Sequence, residues 1–317
     1  MAKITDRRKV NGIIMLFTLC YTVSYITRIN YAAVIAEMVR ETGLSKPTLS
    51  AALTGSFFAY ALGELVSGVI GDKMQPKKLV FTGLSVSVLM NTLIPVCNNA
   101  VFMTVIWCIN GFFQAMIYPP LTRLMVVSFN ESDYLKASLS VGRGGSYGTM
   151  VVYLVAPLMI TLSGWRAMFV FSAVCGIIML FLWEKFAFEI EQNDGAISGK
   201  ALTGKISKRE ILSPFVIVMM IAIIIEGALR ESVNAWMPSY ISETYNLSSA
   251  AAILTGFIRP LFSIFCFQTA FYIRKKSTNN PVFNAGIVYA LGGVGAIFIK
   301  LLSGNGAAYP VIFSTLV

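Results

Sequence analysis

The sequence contains no histidine, and only 13% of its 317 residues are charged. A water-soluble domain carries roughly a quarter charged residues, so the deficit indicates a surface that mostly does not face water. With 56% hydrophobic residues and a mean hydropathy of +0.72, the composition is that of a membrane protein. Without histidine the chain also lacks the Ser–His–acid set of hydrolases, and we expect no enzyme activity.

Cysteine is scarce, and its five positions lie far apart within apolar segments. None of the spacings is that of a metal site, and we expect neither disulfides nor a bound metal or other cofactor. The cysteines are Cys20, Cys97, Cys108, Cys175 and Cys266.

Long apolar runs fill most of the chain. A transmembrane helix needs about 20 mostly apolar residues, and about nine stretches meet that requirement. They cover residues 11–36, 48–70, 79–96, 100–127, 137–162, 166–184, 213–241, 249–272 and 281–301. A further run begins near Ala307 and ends at Val317, about half the needed length. We therefore expect a fragment that lacks its last helices.

The basic residues indicate the orientation. With the N-terminus in the cytoplasm, most Lys and Arg fall on the cytoplasmic side, as the positive-inside rule requires. The opposite side receives only Arg40, Lys46, Arg166 and Lys300. A cleaved signal peptide is the alternative for the N-terminus, but the first apolar run is too long. We predict an inner-membrane protein whose net charge of +10 reflects topology, with the lipid bilayer and no nucleic acid as partner.

One charged segment divides the apolar chain. Residues 185–212 contain three glycines and no apolar run, which is typical of a cytoplasmic linker. The predicted domains are an N-terminal bundle of six helices over residues 10–184 and an incomplete C-terminal bundle over residues 213–317. The predicted fold class is thus an all-α membrane protein of two six-helix bundles in tandem.

Four arginines lie inside predicted helices: Arg28, Arg143, Arg230 and Arg259. By insertion scales each costs about 2.5–3.5 kcal/mol near the bilayer centre, so such residues normally face a bundle interior or an aqueous cavity. A guanidinium stays charged, and its planar fork of donors matches a carboxylate or a phosphate. We predict that these residues bind a small organic anion.

Buried acids leave a structural interpretation open. Glu64, Glu226 and Glu231 also lie inside predicted helices. Glu226 is four residues before Arg230, a spacing that permits an ion pair, and Glu64 could meet Arg28 or Arg143 across the bundle. These acids either neutralise the arginines or, because a buried carboxyl can titrate near neutral pH, carry a proton.

Tyrosines accompany the buried charges. Tyr21, Tyr25 and Arg28 fall on one face of the first helix, and Tyr60 shares a face of the second with Glu64. The pattern indicates the wall of a polar cavity.

The glycine-rich run over residues 142–148 has neither the preceding strand nor the following Lys-Ser/Thr of a phosphate-binding loop. Gly144 and Gly148, four apart, instead predict a flat helix face that another helix can approach closely.

The loop after the second predicted helix carries a recognisable spacing. It runs from Gly68 through Asp72 and Lys73 to Lys77 and Lys78. It resembles the G-x-x-x-D-R/K-x-x-x-R/K-R/K loop of the major facilitator superfamily. The resemblance implies the major facilitator fold and a gating role for this loop at the inner face.

Longer strings resemble the organophosphate:phosphate antiporters, which are glycerol-3-phosphate and hexose-phosphate transporters. The strings lie in the first, fourth and seventh helices, over residues 21–31, 110–123 and 230–240. In that family one arginine from the first helix and one from the seventh clamp the phosphate. The resemblance assigns these roles to Arg28 and Arg230. It assigns aromatic cavity positions to Tyr21, Tyr25, Tyr60 and Tyr118.

The chain departs from that family inside the cavity. Glu64 stands where the family usually has a lysine, the fifth-helix histidine is absent, and Thr255 replaces an acid near the additional Arg259. The substrate is therefore expected to be a phosphate ester or a related carboxylate. The resemblance implies a monomer that works by alternating access, by exchange with phosphate or with proton coupling. A membrane sensor of sugar phosphate is the alternative.

Overall fold

The computed structural model describes residues 3–71, 73–189, 213–246, 253–264 and 281–302, and these ranges contain helices and turns but no strand. This confirms the predicted all-α architecture. In chain order the helices are α1 (Arg7–Thr42), α2 (Lys46–Gly71), α3 (Pro76–Leu93), α4 (Ala100–Gln114), α5 (Tyr118–Ser128), α6 (Glu131–Ser163), α7 (Trp165–Phe186), α8 (Pro214–Tyr245), α9 (Ile253–Ile264) and α10 (Pro281–Leu302).

Six helical stretches of the described chain are long and apolar enough to cross a membrane. They are α1, α2, α3 with the 3-10 turn Ile94–Val96, α4 together with α5, α6, and α7. These are the six predicted N-terminal helices. Helix α8 covers the predicted stretch 213–241 except for its first residue, α10 contains the stretch 281–301, and α9 lies within 249–272. Most of the predicted linker, and the run that begins near Ala307, lie outside the described residues.

The fourth predicted helix is not continuous, contrary to the single run predicted over residues 100–127. Helix α4 ends at Gln114 and α5 begins at Tyr118. Pro119 and Pro120 explain the break, because a proline has no backbone N–H and its ring clashes with the carbonyl four residues earlier. The turn between them is closed by bonds from Met116 N to Phe113 O (3.0 Å) and from Ile117 N to Gln114 O (3.2 Å).

The outward surface of these helices is apolar. Phe58 and Leu65 are each 72% exposed, and Leu162 is 76% exposed. Aliphatic and aromatic side chains in contact with lipid lose nothing by exposure, whereas in water such a surface would aggregate. The exposed apolar surface therefore agrees with the membrane assignment.

Glycines allow two helix pairs to approach to backbone contact. A Cβ at Gly144 would lie 2.7 Å from Thr18 O, and one at Gly148 would lie 2.3 Å from Thr22 O. The predicted flat face of α6 is thus confirmed, and it packs on α1. Helices α2 and α4 form the second pair, in which a Cβ at Gly111 would lie 2.3 Å from Ser56 O.

We expect Gly148→Ala to destabilise the bundle by about 1–3 kcal/mol, because the added methyl group meets a backbone carbonyl that cannot rotate away. The matched control is Gly12→Ala on α1, where a Cβ meets nothing within 4 Å. Thermal unfolding in detergent should show a lower midpoint for the first variant only. Equal midpoints for both variants would contradict the close α1–α6 contact.

Candidate functional site

A cavity of about 540 Å³ opens between α1, α2, α4, α5 and α6. Its wall contains six of the residues predicted from the sequence: Tyr21, Tyr25, Arg28, Tyr60, Glu64 and Tyr118. Trp107, Asn110 and Ser138 add further polar or aromatic groups. The structure thus brings together, in one cavity, the predicted residues of the first, second and fourth predicted helices.

The guanidinium of Arg28 contacts two aromatic rings of this cavity. Its Cζ atom lies 4.7 Å from the ring centroid of Tyr25 and 5.0 Å from that of Tyr60. The negative faces of the rings attract the cation, and a desolvated contact of this kind is worth more than an exposed one. The two tyrosines therefore hold the charged end of Arg28 at the cavity wall.

The tyrosines around Arg28 also contact one another and Glu64. The ring centroids of Tyr21 and Tyr25 are 5.1 Å apart, and Glu64 neighbours the Tyr60 hydroxyl. The ring centroids of Tyr21 and Tyr118 are 5.0 Å apart, which joins α1 to the start of α5. Glu64 acts electrostatically on the same Tyr60 ring that Arg28 contacts, so the carboxylate and the guanidinium share one environment.

A buried polar network fixes the segment of α1 that carries Arg28. The carbonyl of Thr27 accepts hydrogen bonds from Asn91 Nδ2 at 3.0 Å and from Asn110 Nδ2 at 3.1 Å. The Thr27 hydroxyl accepts from Gln114 Nε2 at 2.8 Å. Since Thr27 directly precedes Arg28, these side chains of α3 and α4 fix the position of the Arg28 backbone.

The network continues one turn further along α1. Asn30 Nδ2 donates to Asn91 Oδ1 at 2.7 Å and to Ser172 Oγ at 2.9 Å, which adds α7. These residues were not predicted, because they carry neither the charge nor the aromatic ring on which the sequence-based prediction of the cavity rests. Uncharged amides within apolar runs, such as Asn30, Asn91 and Gln114, were the signal that could have found them.

The other predicted arginines lie elsewhere. Arg143 is on α6 and lines a second recess of about 390 Å³, beside Thr18 and Thr22 of α1. Arg259 is half-buried in α9 and is not among the residues that line the central cavity. Arg230 belongs to α8, but its side chain lies outside the described part of the chain. Their part in binding stays a prediction.

The predicted gating loop is only partly described. Asp72 lies outside the described residues, and Lys73 and Lys78 are exposed. Lys77 joins α3 to the end of α7: its Nζ donates to Glu184 O at 3.1 Å and lies 3.5 Å from the Glu184 carboxylate. Arg123 donates to the carbonyl of Gly71 at the end of α2. The loop thus lies next to hydrogen bonds and an ion pair that connect the ends of neighbouring helices.

Polar contacts join the N-terminal six helices to α8 and α9. Lys46 forms an ion pair with Glu243, and its Nζ lies 5.6 Å from the ring centroid of Trp236. Deeper in, Ser146 donates to Ser263 at 3.2 Å. The Lys46–Glu243 pair marks the point where α2 and α8 meet.

We expect Thr27→Val to lower the stability of the bundle by about 1–3 kcal/mol, because it leaves the buried Gln114 amide without its acceptor. Thr82→Val is the matched control, since Thr82 is only half-buried and its hydroxyl donates to the carbonyl of Lys78 on its own helix. Thermal unfolding of both variants in detergent measures the difference. A midpoint for Thr27→Val equal to that of the control would show that the network does not hold α1.

The chain is similar to several known membrane proteins. A probable hexose phosphate transport protein of Chlamydia muridarum is 24% identical over 308 residues, which are 86% of this chain and 67% of that protein. The membrane sensor protein UhpC of Escherichia coli is 23% identical over 319 residues, or 89% of this chain and 70% of that protein.

The fold also has a solved counterpart. A bacterial homologue of the human lysosomal transporter Spinster, in an inward-facing and unoccupied conformation, superimposes with a TM-score of 0.77 at 15% identity. The alignment covers 98% of this chain and 73% of the other. The model of the family described as Major Facilitator Superfamily matches residues 17–316. The match extends over most of the chain, and the chain therefore belongs to the major facilitator superfamily.

Proposed function

We propose that the protein is a secondary transporter that moves a small organic anion, a phosphate ester or a related carboxylate, across the membrane by alternating access. The observation that carries this proposal is Arg28, whose guanidinium lies against Tyr25 and Tyr60 in a cavity of about 540 Å³. Ligand pockets commonly measure about 300–1,000 Å³, so a small organic anion fits.

The chemistry of the cavity favours an anion with a planar or tetrahedral set of oxygens. A guanidinium keeps its charge in a membrane, and its paired N–H groups match a phosphate or a carboxylate with two parallel hydrogen bonds. In the proposed site Arg230 of the second half completes the clamp across the cavity. The phosphate-ester class is supported by the similarity to the probable hexose phosphate transport protein of Chlamydia muridarum.

Glu64 gives the proposed cycle its coupling. It lines the cavity and acts electrostatically on Tyr60, the residue whose ring Arg28 contacts. When no anion is bound, its carboxylate offsets the positive charge of the cavity, and an arriving anion must displace it or find it protonated. Exchange with phosphate uses the first route, and proton symport uses the second.

The proposed cycle assigns a role to the contact at Lys46. With the N-terminus in the cytoplasm, α1 and α8 run outward, and the Lys46–Glu243 pair lies at the outer face. Alternating access requires this end to open and the opposite end to close. The ion pair therefore acts as a latch of the state in which the outer end is closed.

A sensor is the second candidate function. It is favoured by the similarity to a protein whose name is membrane sensor protein UhpC. A sensor would bind the same class of anion in the same cavity and pass the signal to a partner protein. Uptake into liposomes separates the two candidates, because binding without uptake supports the sensor.

We expect Arg28→Lys to abolish counterflow of glycerol 3-phosphate or glucose 6-phosphate in liposomes that contain the purified protein. A lysine keeps the charge but offers a point cation in place of the fork. Arg40→Lys is the control, because Arg40 lies at the end of α1 and its ion pair with Glu37 is outside the cavity. Normal counterflow by Arg28→Lys would refute the clamp.

We also expect Lys46→Glu and Glu243→Lys to slow uptake severalfold, because each places like charges at the latch. The double variant restores the pair with its charges reversed. Initial uptake rates of the four proteins form a double-mutant cycle, and recovery in the double variant measures the coupling. A double variant as slow as the single variants would mean that the pair does not act as a latch.

A further inference from the structure

The second recess, of about 390 Å³, lies between α1 and α6 and has polar side chains on both of its walls. Ser140, Arg143 and Tyr147 fall at i−3, i and i+4, which is one face of α6. Thr18 and Thr22 line the wall that α1 provides. The outward surface of the bundle is apolar, so two polar walls with an arginine between them indicate a surface that meets water or a polar ligand.

The recess is separate from the cavity that contains Arg28. Both spaces are lined by α1 and α6, yet no residue lines both of them. The backbones of the two helices touch at Gly144 and Gly148, and the two spaces lie on different faces of this helix pair. An anion bound in the recess therefore leaves the position at Arg28 open.

The recess lies beside the junction between α6 and α9. Three residues after Arg143, the hydroxyl of Ser146 donates to that of Ser263 on α9 at 3.2 Å. With the N-terminus in the cytoplasm, Thr18 and Thr22 lie on the inner side of Arg28, by about 9–15 Å along the axis of α1. The recess is therefore placed between the inner face and the level of Arg28.

The chemistry of the recess suits a phosphate ester. Arg143 is half-buried and its Nε is buried, so a ligand meets the terminal nitrogens, whose parallel N–H groups match two phosphate oxygens. The hydroxyls of Ser140 and Tyr147 can donate to the same oxygens. Thr18 and Thr22 donate to carbonyls of their own helix at 2.7 and 2.8 Å, so their hydroxyls can accept from a hydroxyl of the ligand.

We propose that this recess is a second anion site, in which Arg143 binds the phosphate group of the anion on the inner side of Arg28. The proposal rests on the proposed function, because it takes the same class of anion, and it adds a binding position between the cytoplasm and the central cavity. A lipid headgroup offers the same phosphate chemistry. Headgroups lie at the membrane surface, however, and Arg143 lies about 18 Å along α6 from its inner end, so the ligand is a soluble anion.

Alkylation of the variant Ser140→Cys measures occupancy of the recess itself. Iodoacetamide is uncharged, and the rate of modification is read from the peptide that carries this position by mass spectrometry, which separates it from the natural cysteines. Inorganic phosphate and glucose 6-phosphate should each slow the modification severalfold, because an anion at Arg143 covers its neighbour. Ser132→Cys is the matched control, since Ser132 is exposed on the same helix and outside the recess, and its rate should not change.

Three backgrounds assign this protection to an arginine. With Arg143→Gln the phosphate concentration for half-protection should rise about tenfold or more, because charge-assisted hydrogen bonds are lost. Arg143→Lys keeps a point charge, and half-protection should fall between the two values. With Arg28→Lys half-protection should stay unchanged, since Arg28 does not line the recess. The rates without anion, which should agree among the three, show that the fold is kept.

The possible results decide between the two proposals. The second site is overturned if soluble phosphates give no protection, if protection requires Arg28, or if Arg143→Gln leaves it unchanged. Protection by phosphatidylglycerol added to the micelles, but not by soluble phosphates, would assign the recess to lipid and also overturn it. Counterflow tests the proposed function separately: normal counterflow without protection removes only the second site, and protection without counterflow refutes transport while the second site stands.

Discussion

The hydrogen bonds to the Thr27 peptide are the interaction on which the site depends. Inside a bilayer no water competes for polar groups, so a buried amide must find a partner within the protein. Asn91 of α3 and Asn110 of α4 meet at the Thr27 carbonyl, and Gln114 bonds to its hydroxyl. The network places α1 relative to α3 and α4. Arg28 is the next residue, so its position is a consequence of this network.

Close helix pairing makes the room for the cavity. Glycines bring α6 into backbone contact with α1, and other glycines bring α4 into contact with α2. Helices drawn so closely into two pairs leave a space between the pairs, and residues from both pairs line it. The tyrosines, together with Arg28 and Glu64, fill the wall of that space with groups that an apolar core would exclude. The close packing of the two helix pairs thus also produces the cavity between them.

The cavity wall carries one group of each charge, the guanidinium of Arg28 and the carboxylate of Glu64. Arg28 retains its charge, and the faces of Tyr25 and Tyr60 stabilise it. Glu64 supplies the opposite charge on the same wall and acts electrostatically on Tyr60. The phosphate-ester antiporters that the sequence resembles usually have a lysine at this position, so the glutamate puts a negative group where they have a positive one. In the proposed cycle the arriving anion either displaces this carboxylate, as in exchange with phosphate, or enters together with a proton that neutralises it, as in symport.

The sequence by itself determined the membrane class, the apolar helices and the face that carries Tyr21, Tyr25 and Arg28. Length, hydropathy and helical period are local properties, and they suffice for these features. Only the tertiary structure decided the rest. Asn30 meets Asn91 and Ser172 across 61 and 142 positions of the chain, and no local pattern encodes such a pair. Gly142 lines the central cavity and Arg143 the second recess, because successive residues of an α-helix point about 100° apart and only packing shows which direction is the interior.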